Sequence, residues 1–356
     1  MRQLSAYVAR SVLASLLGVL AILVGIDALT AFINESGSIN ANYTYLNVMT
    51  YIGMTVPSRI YEFIPFASLI GCLIGLGALA GNSELVIMRA SGVSLLRIVW
   101  FVIRPTLLVI FVGVMLAEYL VPYADQSATT YKALKRSGSG QVEQKFRSNL
   151  WNKEGTEFMH FNIVAPGGEL LYGVTRYQFD DQRNLKQASF SESAVFRRDH
   201  WVEENVAITH IEPNRTHVEQ QVQRRWQTDL SPKLLNLISI PKESLSIGGL
   251  HSYARYLQDQ GQDSQPLWLE FWGKVLQPLS VLSLVLVAIS FIFGPLRQVT
   301  MGFRVFTGVI FGMTFWISQK MLGPSSLVYE FPPVIAVLVP IAVFMLIGAL
   351  LLRRAA

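Results

Sequence analysis

The sequence predicts an α-helical membrane protein: six transmembrane helices, with a soluble all-β domain inserted between the third and the fourth. Three observations carry this. Hydrophobic residues make up 51% of the 356 residues and charged residues only 15%, where a soluble chain carries roughly 25% charged. Most of the charges fall between Asp125 and Asp263. Outside that stretch, six runs reach the roughly 20 apolar residues needed to cross the hydrocarbon core of a bilayer.

The runs cover approximately 11–33, 61–81, 99–121, 272–293, 303–322 and 332–352. They divide the chain into 1–122 with three spans, an inserted domain over 123–265, and 266–356 with three more. The first run has no small-residue cleavage site followed by a soluble region, so it is read as a retained helix rather than a signal peptide. Orientation follows from Lys and Arg near span ends, which stay in the cytoplasm. Arg2, Arg10, Arg89, Arg97, Arg104, Arg297, Arg304, Arg353 and Arg354 lie at one set of ends, and the short loops opposite hold only Arg59 and Lys320. Both termini are therefore expected in the cytoplasm and the inserted domain on the far side. The net charge of +5 comes from arginines placed singly, a topology signal and not a nucleic-acid patch.

Within the inserted domain, 157–164 and 201–211 are rich in β-formers, and Pro166-Gly167-Gly168 and Asp180-Asp181 mark turns between such runs. Short strands with frequent turns predict a sandwich, jelly roll or curled sheet. Gly249 to Gly261 reads instead as a helix leading back to the membrane.

Catalytic signatures are missing. The only Gly-Lys pair, Gly273-Lys274, is followed by Val275, so there is no phosphate loop. His160, His200, His210, His217 and His251 show no metal-binding pairing, and the single Cys72 rules out an intrachain disulfide or cysteine cluster. The chain is expected to be non-catalytic and to bind no cofactor or metal of its own. Ionisable residues inside spans are costly and mark function or a wet cavity. Asp27 is the deepest; Arg59, Glu62, Glu118, Glu270, Lys274 and Lys320 lie nearer the interface, where snorkelling accounts for them. Gly71, Gly75, Gly77 and Gly81, with Gly308 and Gly312, give small-residue spacings suited to close helix packing.

The first cytoplasmic loop is the most informative segment. Around 83–92, Ser83 is placed to cap a helix, Glu84 suits the positive end of its dipole, the apolar set Leu85, Val86 and Met88 is expected to form one face, and Gly92 stops it. Such a short surface helix either connects two spans or docks a cytoplasmic partner.

This loop, from Ser83-Glu84-Leu85-Val86 through Arg89-Ala90-Ser91-Gly92, resembles the coupling helix of the LptF/LptG family of lipopolysaccharide export permeases. Phe291-Ile292-Phe293-Gly294-Pro295-Leu296-Arg297, Met301-Gly302-Phe303-Arg304-Val305, Phe331-Pro332-Pro333 and the Ile247 to Tyr253 segment extend the resemblance over nearly the whole chain, closer to the LptG branch than to LptF. The resemblance implies a non-catalytic permease subunit in the inner membrane of a Gram-negative bacterium. It would form a heterodimer with LptF around a V-shaped cavity, with two copies of the ATPase LptB holding ATP and Mg. The β domain, jellyroll-like and in the periplasm, would pass lipopolysaccharide to LptC and LptA. The partner-coupling residues would be Ser83, Glu84, Leu85, Val86, Met88, Arg89 and Gly92. The cavity would take apolar walls from Phe63, Phe66, Phe311 and Phe315, with Thr30 on the first span, and cations from Lys132 and Arg136, beside Lys135. The first and fifth spans would form the lateral gates. Family members carry cations near the outer end of the first span, whereas this chain has Asp27, Thr30 and Glu35, which moves the expected phosphate contact to Lys132. From the residues alone, a proton-coupled secondary transporter acting alone and a membrane-anchored periplasmic scaffold stay open as alternatives.

Overall fold

A computed structural model describes residues 2–39, 42–137, 150–165, 167–212, 215–238, 240–294 and 299–355. Pro166 of the expected turn, and Pro295, Leu296 and Arg297 of the motif after the fourth span, lie outside the described residues.

Among the described residues, six helices are long and apolar enough to cross a membrane. They are α1 (Arg2–Ser36), α3 (Val56–Gly81), α5 (Leu95–Met115) with its continuation, α9 (Gln265–Phe293), α10 (Met301–Val328) and α11 (Pro333–Ala355). A short helix that the sequence reading passed over, α2 (Tyr45–Met54), precedes α3; α4 (Glu84–Ala90) joins α3 to α5. The third span does not end near 121. One π-helical turn, Leu116–Leu120, carries it into α6 (Val121–Ser137). Lys132 and Arg136 therefore stand on a helix, and the first strand among the described residues begins at Leu150.

The membrane core is built around α3 and α9. Of the most apolar window of each helix, 72% is buried in α3 and 61% in α9, against 17% in α1 and 22% in α10. α1 and α10 thus present most of their surface outward. Small residues set how closely the helices approach: a methyl at Gly71 would lie 2.5 Å from Leu16 Cα, and one at Gly308 would lie 2.6 Å from Leu73 Cδ1.

The inserted domain is one six-stranded antiparallel sheet with strands in sequence order: β1 (Leu150–Glu154), β2 (Glu157–Val164), β3 (Leu170–Phe179), β4 (Leu185–Arg197), β5 (His200–Glu212) and β6 (Arg215–Trp226). β2 and β5 fall where the sequence places strands. The turn between β3 and β4 is built by Asp180, whose carboxylate accepts the Gln182 and Asn184 amides at 2.9 and 2.8 Å. One face packs Met159, Phe161, Leu171, Val174, Trp201 and Trp226 against Leu230 and, on α7 (Pro232–Ile238), Leu234 and Leu235. Tyr253 and Tyr256 of α8 (Ile247–Asp259), the expected return helix, pack onto the same cluster. Trp201 is fully buried, and its indole N–H donates to Leu230 O at 2.7 Å. Burying a tryptophan in this way contributes up to about 6 kcal/mol. Gly168, at φ +74°, touches Pro232; a Cβ there would meet Pro232 O at 2.3 Å, so the turn after β2 accepts only glycine.

Candidate functional site

The residues singled out by sequence fall into three places. The first is α4. It leaves α3 through a turn in which Ser83 adopts φ +61°, and its side chain makes no capping bond. Capping needs an extended backbone that sets the hydroxyl over the first amides, so the expected role of Ser83 as a side-chain cap is wrong. Gly92, at φ +85°, does end the helix. Glu84 in the first turn and Arg89 in the last complement the helix dipole. Leu85 and Met88 are buried in the membrane core, while Val86 and Ile87 are 47% and 62% exposed. The apolar set therefore splits: Leu85 and Met88 anchor α4, and Val86, Ile87 and Arg89 face outward. Ile87 was missed; its signal is that it continues Val86 on the side away from the Leu85/Met88 pair.

The second place is the aromatic wall. Phe63 and Phe66 lie on α3 with ring centroids 6.3 Å apart, Phe66 against Gly312 of α10. Phe315 is 3% exposed and packs edge-on to Phe344 at 5.1 Å; Phe311 meets Phe291 and Phe344 at 4.7 and 6.3 Å. Positions 311 and 315 point into α9 and α11, so Phe315 is core rather than cavity wall. The exposed stripe on α10 is Phe306, Ile310, Met313 and Ile317, and on α1 it is Ile22, Ile26, Leu29 and Ile33.

The third place is the end of the spans nearest the sheet. Arg59 of α3 pairs with Asp27 of α1. Asp125 of α6 accepts Ser58 Oγ at 2.6 Å and Ser244 Oγ at 3.0 Å. These groups, with Glu62 and Thr129, line a polar cavity of about 340 Å³. Lys132 Nζ lies 2.6 Å from Glu35 and 4.8 Å from the Tyr51 ring centroid, so the cation expected to be free for phosphate is already neutralised. Arg136 is exposed; Thr30 is exposed and bonds Ile26 O on its own helix at 3.0 Å.

Beside this cavity, groups expected only to snorkel hold the base of the sheet domain. Glu118 accepts the Ile247 and Gly248 amides at 2.9 and 3.4 Å, at the N-terminus of α8. Lys274 is 8% exposed and donates to Glu243 O at 2.8 Å and Leu245 O at 2.6 Å. At the opposite end of the spans, Arg304 of α10 is also buried and donates to Gly77 O on α3 at 2.5 Å.

Comparison with known proteins adds the following. The family model described as lipopolysaccharide export system permease LptF/LptG matches residues 6–354. The protein named lipopolysaccharide export system permease protein LptG of Escherichia coli strain K12 is 34% identical over 355 residues, covering 99% of this chain and 98% of that one. The protein of the same name from Haemophilus influenzae is 33% identical over 354 residues, again covering 99% of this chain and 98% of the relative.

Proposed function

We propose the working of this chain from one premise: it belongs to the lipopolysaccharide export system permease LptF/LptG family. It is a multi-pass transmembrane permease subunit for lipopolysaccharide. In our reading it pairs with LptF and makes no chemical bonds itself. Two LptB subunits bind ATP and Mg and supply the energy, one of them seated on α4. The sheet domain lies in the periplasm of a Gram-negative cell, both termini lie in the cytoplasm, and lipopolysaccharide leaves toward LptC and LptA.

The observation that carries the coupling is the two-sided character of α4. Leu85 and Met88 lock it to the core while Val86, Ile87 and Arg89 stand clear, as a lever needs if a push on its outer face is to move the spans. Glu84 and Arg89 add opposite charges that fix the register of a docked partner. The outward apolar stripes of α1 and α10 support their assignment as lateral gates, since each stripe needs a lipid, an acyl chain or a partner helix against it. The fixed partner of Asp27, Arg59, suits a structural role better than a proton relay.

The test is co-purification with co-expressed LptB and LptF, followed by lipopolysaccharide release from proteoliposomes. Glu84→Ala and Ile87→Asp are expected to lose the ATPase and the release together. Release that persists without a bound ATPase would overturn the reading.

A further inference from the structure

α1 and α5 enter the membrane from the same side and are separated there by a groove of about 520 Å³, whose lining includes the small Ser5, Ala6 and Ala9 and the ring of Pro105. Two arginines converge on it, Arg10 from α1 and Arg104 from α5. They stand about 12 Å along α1 and about 13.5 Å along α5 at 1.5 Å rise per residue, and both line the one groove. Both are exposed, and neither belongs to any ion pair among the described residues. Arg104 additionally lies 5.5 Å from the Trp100 ring centroid, a residue type that favours the headgroup boundary.

We propose that this groove binds an anionic phospholipid of the leaflet in which α1 begins, its phosphate held between Arg10 and Arg104. An unpaired guanidinium at the membrane boundary reaches for a phosphate or for water. Two cations there repel the ammonium of a zwitterionic headgroup and so favour a lipid whose headgroup carries only the negative charge of its phosphate. The planar fork of Arg fits phosphate oxygens two at a time. The groove's own lining turns apolar at Leu13 on α1 and Leu108 on α5, and one turn further along the same helices Leu17 and Phe111 are exposed. Cations at the head and an aliphatic track below are the chemistry of a diacyl lipid, not of a free phosphate. Such a lipid would tie the start of α1 to α5, and so bias the hinge of a helix that we read as a gate.

The experiment uses the chain with its co-expressed partners in nanodiscs of phosphatidylcholine and phosphatidylglycerol with matched chains, and its readout is lipid retention, independent of export. After stripping in mild detergent, native mass spectrometry is expected to find phosphatidylglycerol retained in preference to phosphatidylcholine. The double change Arg10→Ala with Arg104→Ala is expected to cut that retention about tenfold, a loss of about 1.4 kcal/mol, and the double Lys variant to keep a measurable part. A photo-crosslinker at Leu108 in the otherwise unaltered chain should label phosphatidylglycerol, which protects the test against misfolding of the double variant. Equal retention by the double Ala variant, displacement by millimolar inorganic phosphate, or a Leu108 adduct with a partner polypeptide in place of lipid would each overturn the proposal.

Discussion

Lys132 Nζ lies 2.6 Å from Glu35 Oε2, which ties α6 to the C-terminal end of α1 and occupies the cation to which the sequence assigns substrate phosphate. The other carboxylate oxygen, Glu35 Oε1, is buried without a hydrogen-bond partner among the described residues, so the pair is under-satisfied and suited to exchange. If phosphate displaces Glu35, then Lys132→Ala should lower lipopolysaccharide photo-adducts formed at Arg136, and Glu35→Gln should raise them. A pair that acts only as a strut would lower the yield equally in both variants.

The two faces of α4 should separate by phenotype. Leu85→Ala removes a residue that is 4% exposed within the membrane core, and a loss of about 2–5 kcal/mol in stability is expected. Ile87→Asp touches nothing buried, so the thermal midpoint should hold while the co-purifying ATPase is lost. Denaturation and pull-down on the same preparations measure both.

These two cases mark what the sequence made legible. The six spans and the place of α4 follow from apolar length and from Glu84 and Gly92, which are local properties. The facing of side chains does not follow so easily. Phe315 was chosen as cavity wall by residue type, but helix rotation aims it at Phe344. The partners of Asp27 and Glu118 stand 32 and 129 positions away, and no local pattern encodes which distant group a charge will meet. Ser83 misled for a related reason: the residue type suits a cap, but the tight turn between α3 and α4 takes a backbone conformation in which serine cannot act as one.

Close approach of α1 and α3 predicts a steep contrast between two glycines on one helix. Gly71→Ala would set its methyl 2.5 Å from Leu16 Cα, whereas Gly81→Ala would meet nothing within 4 Å. Backbone cannot yield as a side chain does, so the first change should cost about 1–3 kcal/mol or more and the second little. Thermal unfolding in one detergent compares them directly.

In the sheet domain, Glu203 is 1% exposed and pairs with Arg176 at 2.9 Å, and Arg176 also engages Glu157 and lies over the Trp226 ring. Burial pushes the Glu203 carboxyl above its usual 4.5, with Arg176 opposing the rise. The folded state thus holds this proton more tightly than the unfolded state. The stability it contributes is fully present below about 4.5 and is lost as pH climbs through the raised folded value. Arg176→Met removes the opposing cation, so the loss should deepen to about 3–5 kcal/mol near neutrality and shrink at pH 4. Amide exchange of β5 in the whole chain, followed at both pH values, reads the difference.

The junction between membrane and sheet gives the last expectation. Lys274 on α9 and Glu118 on the third span grip opposite ends of the segment 243–248, one through carbonyls and the other through amides. A shift of either span therefore reaches the foot of the sheet domain through charge-assisted bonds, each worth about 1.5–3 kcal/mol. Glu118→Gln weakens the grip on the α8 N-terminus with little change of shape, and Lys274→Met removes two bonds while relieving a buried charge. Both should speed amide exchange at Leu245 and Ile247 and leave β1 to β6 protected. Export should fall while the ATPase stays bound, because drive and delivery would be uncoupled at this segment. If the strands exchanged faster in step with 243–248, the two residues would be stabilising the domain as a whole rather than transmitting motion to it.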